Sequence, residues 1–276
     1  MRLTIHGVRY HVEVDGDGPA LLLLHGFTGS AAVWEPFVNA WSRWFRVIRV
    51  DIIGHGRTDA PKDPSRYQMK LVAADLEALL EQLGVERAHV LGYSMGGRLA
   101  LSFALMCPHR VDQLVLESSS PGLKTERERR ERRERDEALA NRIEREGVAA
   151  FVRFWEELPL FATQKRLPEP VRERTRAIRL QQRSQGLAAS LRGMGTGVQP
   201  SWWDHLHQFD RPVTLITGEE DHKYHRIAEE MTETFPRAQW VAVPAAGHTI
   251  HVEQPDLFSS IIMDVLSGSD VDPGLP

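Results

Sequence analysis

The run GYSMGGR, Gly92 to Arg98, sets one serine between two glycines where an apolar stretch gives way to a helix-forming one. This is the G-x-S-x-G spacing of a nucleophile elbow. The strand-to-helix turn is so sharp there that a Cβ at Gly92 or Gly96 would strike neighbouring backbone. The turn holds Ser94 at a helix N-terminus, where the dipole and free N–H groups favour negative charge. A serine hydroxyl is too weak an acid to react alone. It needs an imidazole to take its proton and a carboxylate to orient that imidazole. In this arrangement the partners follow in the order acid, then histidine. Asp221 lies just past VTLITG and His248 just past WVAVPAAG. Glu219 and Glu220 compete with Asp221, and His251 with His248. Asp221 is preferred because the turn must first clear its strand, and His248 because Gly247 frees the backbone before it. The run LHGFTGS supplies the remaining part: the backbone N–H groups of Phe27 and Met95 would converge on one oxygen as an oxyanion hole, with Gly26 letting the chain turn inward.

Positioning these groups requires a rigid scaffold. Six short apolar runs bounded by turn residues read as buried strands: ALLLLHG, FRVIRVDIIG, AHVLGYS, VDQLVLES, PVTLITGEED and AQWVAVPAAGH. KLVAADLEALLEQLGV repeats its apolar residues at three and four, an amphipathic helix. SMGGRLALSFALMC reads as a helix halted before Pro108, and a closing helix falls around DLFSSIIMDVL. Continuous apolar strands alternating with helices imply an α/β fold, a mostly parallel sheet covered on both faces. The N-terminal MRLTIHGVRYHVEV alternates like a strand. From Pro121 to Gln199 no strand-like run occurs, and the segment is helical in pattern and rich in arginine. The expected organisation is a core of residues 1–120 and 200–266, a helical cap at 121–199 over the sheet's C-terminal edge, and a flexible tail at 267–276. His55, in the glycine-punctuated loop DIIGHGRTDAP, reads as structural, and there is no internal repeat.

Bulk properties narrow the classes of partner. The chain has 276 residues and a formal net charge of −4, which offers no general reason to expect nucleic acid or an anionic membrane as partner. No apolar stretch approaches the ~18 residues needed to span a bilayer, and the N-terminus lacks a signal-peptide pattern. A cytoplasmic protein is expected. The single cysteine, Cys107, rules out an intramolecular disulfide and reads as inert core packing at a helix end. Oligomeric state is left open.

Arg98 follows Ser94 by one helical turn, so its side chain can rise beside the hydroxyl. A desolvated guanidinium without an anion would cost several kcal/mol, on the order of a broken buried ion pair. Its partner is either an internal carboxylate or the substrate. In the helical insertion, KTERERRERRERDEALANRIEREG mixes acids and bases and reads mostly as a solvated, ion-paired helix. RTRAIRLQQRSQGLAASLR instead carries arginines where acids are scarce. Arginine forks grip carboxylates, so a cap with several of them suggests a substrate with multiple carboxylates.

The core, over about Arg2–Ser120 and Trp202–Leu266, resembles the α/β-hydrolase fold superfamily. That resemblance implies an eight-stranded, mostly parallel sheet with a helical cap, and no metal or organic cofactor. GYSMGGRLAL, RRERDEALANRI, FWEELPLFATQ, RLQQRSQGLAASLRGMGTGVQPSWW, TGEEDHKY and AAGHTIHVEQP together resemble the 2-succinyl-6-hydroxy-2,4-cyclohexadiene-1-carboxylate synthase family of menaquinone biosynthesis. SLRGMGTGVQPSW is the most specific of these blocks. The resemblance implies a lyase that removes pyruvate by 2,5-elimination from an enolpyruvyl cyclohexene bearing a succinyl group. It implies the triad Ser94, Asp221 and His248, carboxylate-binding Arg98, Arg132 and Arg179, and Tyr93 and Trp155 lining the pocket. Around Arg132, a slip of one turn would select Arg129, Arg130, Arg133 or Arg135. Two other readings stand beside the lyase: a hydrolase of small carboxylated esters or carbon–carbon bonds using Ser94 as nucleophile, and a non-enzymatic fold that binds an anion or a protein.

Overall fold

The computed structural model describes residues 1–267. Eight strands, β1 (Arg2–Ile5), β2 (Val8–Asp15), β3 (Ala20–Leu24), β4 (Arg46–Val50), β5 (Ala88–Tyr93), β6 (Val111–Glu117), β7 (Val213–Gly218) and β8 (Ala238–Val243), form one sheet. Their order is β1-β2-β4-β3-β5-β6-β7-β8. β1 and β2, and β2 and β4, pair antiparallel, and every later neighbour is parallel. The alternating N-terminal stretch is therefore two strands, not one. His6 and Gly7, both with positive φ, turn the chain back at its middle.

The continuous apolar strands are explained by burial on both faces. Leu22 and Leu24 of β3 point into one core layer, and Leu21 and Leu23 into the other. The first layer packs under α2 (Met69–Gln82), α3 (Met95–Met106) and α7 (His222–Thr234), through residues such as Val72, Leu99 and Met231. The second lies under α1 (Glu35–Trp41) and α9 (Pro255–Ser267), through Phe37, Trp41, Phe258 and Ile262. Removing such a side chain, as in Leu22→Ala, costs about 2–5 kcal/mol because the site cannot collapse. A few strand residues break the pattern. Arg49 of β4 is buried and is balanced by Glu13, Asp15 and Glu35 at 3.0, 2.9 and 2.5 Å. Cys107 ends α3, buried, and its thiol is pushed up to about 11 by burial and by Glu77.

Between β6 and β7 the chain is helical: α4 (Glu126–Glu156), α5 (Glu169–Leu180) and α6 (Ser184–Met194). α4 starts with a capping box, Thr125 with Glu128, and kinks at Gly147. Its exposed face is laced by pairs such as Arg127–Glu131 and Arg142–Glu146. The segment has its own small core of Ala140, Ile143, Phe151, Leu187, Ala188 and Leu191, which also receives Phe27 and Trp155. The segment 267–276 lies outside the described residues except for Ser267, which is the last residue of α9 rather than part of a tail. Among the described residues, no helix is long and apolar enough to cross a membrane.

All parallel strands end on one edge, so the loops after β3, β5, β7 and β8 meet there. The loop after β3 is pinned by His25, whose Nδ1–H donates to the Gly26 carbonyl at 2.8 Å and whose Nε2 accepts from Ile52 N–H at 3.0 Å. His55 packs on His25, ring centroids 5.2 Å apart, and bonds the Ile53 carbonyl. Burial drives the His25 imidazole down to about 4 and, together with His25, the His55 imidazole down to about 3. Both folded values lie below the ~6.5 of a free imidazole, so the unfolded chain takes up protons first. Stability from these rings is complete above pH ~6.5 and falls as the pH drops toward 4 and 3, by up to about 1.4 kcal/mol per pH unit for each ring. Denaturant unfolding at pH 7.5 and pH 5 is expected to show a loss of several kcal/mol, and His55→Phe is expected to flatten that slope by about one proton.

Candidate active site

The β5–α3 turn holds Ser94 at φ 50°, ψ −107°, a conformation rarely open to a residue with a side chain. It persists because the surroundings leave no alternative. A Cβ on Gly92 would lie 2.4 Å from the Gly96 carbonyl oxygen, and one on Gly96 would lie 2.2 Å from that of Leu24. Ser94 N–H donates to the Glu117 carbonyl at 2.9 Å, tying the strained residue to β6.

His248 Nε2 lies 3.0 Å from Ser94 Oγ, and His248 Nδ1 lies 2.6 Å from Asp221 Oδ2. Asp221 and His248 are 7% and 1% exposed. With Asp221 ionised, Nδ1 keeps the proton and Nε2 is free to accept that of Ser94. Of the alternatives, Glu219 is exposed and the other two are engaged elsewhere. His251 is buried against Glu117, whose carboxylate it meets at 2.8 Å, and Glu220 pairs with Arg166 at the surface. Gly247 owes its place to a different cause from backbone freedom: a Cβ there would lie 2.4 Å from Thr163 Oγ1. Met95 N–H is the first of α3, with no intrahelical acceptor, and Phe27 N–H is likewise not spent on a backbone acceptor.

A cavity of about 140 Å³ opens beside Ser94. Phe27, Tyr93, Ser94, Met95, Arg98, Arg132, Trp155 and His248 all line it. Arg98 is 9% exposed and has neutral partners only: it donates to the Met194 carbonyl at 2.8 Å and to Gln199 Oε1. No carboxylate lies within ion-pair distance of it among the described residues, so the internal-carboxylate alternative fails. Burial, with Arg132 nearby, lowers its guanidinium to about 10, still charged at neutral pH. Among the arginines of its helix turn, Arg132 lines the cavity, while Arg129 and Arg133 reach out to Glu126 and Arg135 to the Glu131 carbonyl. Arg132 is held by Asp136 at 2.8 Å. Trp155 presents a buried indole N–H with no partner among the described residues. Arg179 does not line this cavity. It borders a second one, of about 350 Å³, that shares Phe27, Tyr93 and Phe161 with the first.

Sequence reasoning missed several contributors. Lys223 and Tyr224, in the first turn of α7 directly after Asp221, line the Ser94 cavity, and Tyr224 packs on His248 at 4.7 Å. Their places two and three residues after Asp221 were the available signal. Glu253 brackets His248, accepting the N–H of Gly247 at 2.7 Å and of Thr249 at 3.1 Å. Its place four residues after Thr249, on the short helix α8 (Ile250–Glu253), has no signature of its own. Among the described residues no group of three or more His, Cys, Asp or Glu side chains is arranged to hold a metal ion.

Residues 19–255 match the family described as the alpha/beta hydrolase fold. The chain is 48% identical, over 95% of its length and 96% of the relative's, to a protein of Bacillus subtilis (strain 168) named provisionally as a 2-succinyl-6-hydroxy-2,4-cyclohexadiene-1-carboxylate synthase. It is 31% identical to the synthase of that name from Enterobacter sp. (strain 638), covering 90% of this chain and 92% of that one. The solved structure of MenH from S. aureus superposes with a TM-score of 0.90 at 33% identity, covering 94% of this chain and 98% of that one.

Because Glu253 holds the N–H groups of the two residues on either side of His248, Glu253→Ala is expected to lower kcat by at least tenfold while KM changes little. Steady-state kinetics, with circular dichroism as the folding control, checks this.

Proposed function

The chain belongs to the alpha/beta hydrolase fold family and, within it, to the 2-succinyl-6-hydroxy-2,4-cyclohexadiene-1-carboxylate synthases, and from that membership we propose how its own residues carry the reaction. The enzyme is a lyase of menaquinone biosynthesis. It eliminates pyruvate from 2-succinyl-5-enolpyruvyl-6-hydroxy-3-cyclohexene-1-carboxylate and leaves the 2,4-cyclohexadiene.

Ser94 Oγ, hydrogen-bonded to His248, removes the proton from the ring carbon that bears the succinyl ketone. The proton passes to His248, whose imidazolium is stabilised by Asp221 at 2.6 Å. The electron pair of the broken C–H bond runs into the ketone as an enolate. The N–H groups of Phe27 and Met95 hold the enolate oxygen. As the ketone re-forms, the ring double bond shifts and the C5–O bond breaks. The departing enolpyruvate takes a proton, which the His248 imidazolium can return through Ser94, and ketonises to pyruvate. Atoms and charge balance without a covalent enzyme adduct, so the Ser-His-Asp line acts here as a base.

The observation that carries this reading is Arg98. A permanent charge, 9% exposed and given only neutral partners one turn from Ser94, awaits an anion. Arg132 and Lys223 line the same cavity and make that end cationic. A substrate with three carboxylates meets this demand, and an ester of neutral groups does not. The helical segment 121–199 acts as a cap, contributing Arg132 and Trp155 above the sheet edge. We also propose that the enzyme works in the cytoplasm, a reading supported by its place in a biosynthetic pathway and its one buried thiol.

Pyruvate release from the enolpyruvyl substrate, followed by a lactate dehydrogenase couple, tests the reading. Wild type should turn over, and Ser94→Ala should retain less than about 1% of kcat. Arg98→Ala should lower kcat/KM by about 100-fold or more without a large fall in melting temperature. Equal pyruvate release by wild type and Ser94→Ala would overturn the mechanism, and accumulation of a covalent adduct on Ser94 with natural substrate would favour a hydrolase.

A further inference from the structure

The block SLRGMGTGVQPSW runs from α6 into the loop that leads toward β7. Its residues grip Arg98 at both ends. Trp202 Nε1–H donates to Ser102 Oγ at 2.9 Å, and that hydroxyl donates to the Arg98 carbonyl at 2.8 Å. At the other end, Arg98 Nη1 donates to the Met194 carbonyl at 2.8 Å and to Gln199 Oε1. The loop is fixed in its turn: Gln199 N–H donates to the Gly195 carbonyl at 3.1 Å, Trp202 N–H to the Pro121 carbonyl at 2.8 Å, and Trp203 Nε1–H to the Gly122 carbonyl at 3.0 Å.

Gln199 is 2% exposed, and its place there is costly. A guanidinium only donates, so the amide oxygen must face Arg98 and the amide NH2 must face away. That NH2 is buried beside Gly122, where an added Cβ would lie 2.7 Å from it, and it has no partner among the described residues. A buried donor without a bond lowers stability. A carboxylate in the same place would carry no such donor and would give the buried guanidinium a counter-charge. Stability alone therefore favours glutamate at this position. The amide differs in one respect: it holds Arg98 without neutralising it.

Resting on the function proposed above, we propose that Gln199 is a positioning residue that acts through Arg98, fixing the guanidinium while leaving its charge for the substrate. The division of donors supports this. Both bonds fall on Nη1, so Nε and Nη2 have no protein partner among the described residues, and Arg98 lines the Ser94 cavity. Those two nitrogens form one edge of the planar fork, the pair of parallel donors that a carboxylate takes bidentately. Clamping Nη1 from the α6 end and from the loop fixes the plane of the fork and removes its freedom to turn before the anion arrives. Arg132 shows the opposite arrangement in the same cavity, since it is already met by the Asp136 carboxylate at 2.8 Å.

Steady-state pyruvate release and melting temperature, measured on Gln199→Glu and on a double-mutant cycle of Gln199→Leu with Arg98→Met, test the role. Gln199→Glu is expected to raise KM and lower kcat/KM by about 100-fold while melting no lower than wild type, because the new carboxylate takes the charge that the substrate needs. A residue that only fills space would lose activity and stability together. Gln199→Leu, which offers Arg98 no acceptor, is expected to lower kcat/KM by about tenfold in the wild-type background and by less than about threefold in the Arg98→Met background. The cycle decides the question should Gln199→Glu fail to fold. Wild-type KM in Gln199→Glu, or an equal Gln199→Leu penalty in both backgrounds, would overturn the assignment. Absence of pyruvate release by wild type from the enolpyruvyl substrate would instead overturn the underlying function.

Discussion

The line of hydrogen bonds from Asp221 through His248 to Ser94 constrains almost everything around it. Each bond has only a few tenths of an ångström of latitude, and the three residues come from three loops separated by up to 154 positions in the chain. Such precision cannot be held by the loops alone. It is supplied by parallel strands that end at one edge and by secondary contacts that fix each loop in turn. Glu117 is the clearest case: its carbonyl receives Ser94 N–H, and its carboxylate receives both the backbone and ring N–H of His251. One buried residue thereby joins the serine turn to the histidine loop. Glu253 completes the support from the other side.

Electrostatics divides the site into parts with different tasks. In the proposed reaction the triad and the N–H groups of Phe27 and Met95 manage one proton and one developing oxyanion. Arg98, Arg132 and Lys223 line the same cavity and make one end of it cationic. Arg98 is costly to bury, and its neutral partners orient it without cancelling its charge. In the proposed reading a bound carboxylate recovers much of that cost, and a destabilising feature of the free enzyme becomes affinity for a polyanion. Arg179 is partnered differently, by Glu156, which also meets Arg176, and by Gln164.

The helical segment above the sheet is attached as well as draped. Gln182 donates to the Gly29 carbonyl and accepts from Gly56 N–H, while Gln164 reaches Thr249. These bonds couple the segment to the loops after β3 and β4 and to the loop carrying His248. A lyase whose base must not meet water benefits from such a lid, because an enolate intermediate in a wet site would be quenched by stray protons.

Much of this was readable in the residues. Apolar runs disclosed the six parallel strands, and most clearly those buried on both faces, where there is no room for alternation, as Leu21 to Leu24 show. Ser94 stood out because the glycines around it answer a local steric demand, and Asp221 and His248 followed from their places just past strands. The N-terminal hairpin was harder to resolve, since one alternating run and two joined by a two-residue turn differ only at His6 and Gly7. What sequence alone determined is whatever depends on neighbours in the chain: strand and helix periodicity, the tight serine turn, and the kinds of groups available for chemistry. Only the tertiary structure decided that His251 serves Glu117, that Arg98 lacks a carboxylate, that Glu253 brackets His248, and that Arg179 borders a separate cavity. Those outcomes depend on distances between residues far apart in the chain, and periodicity carries no information about which distant side chain will already have a partner.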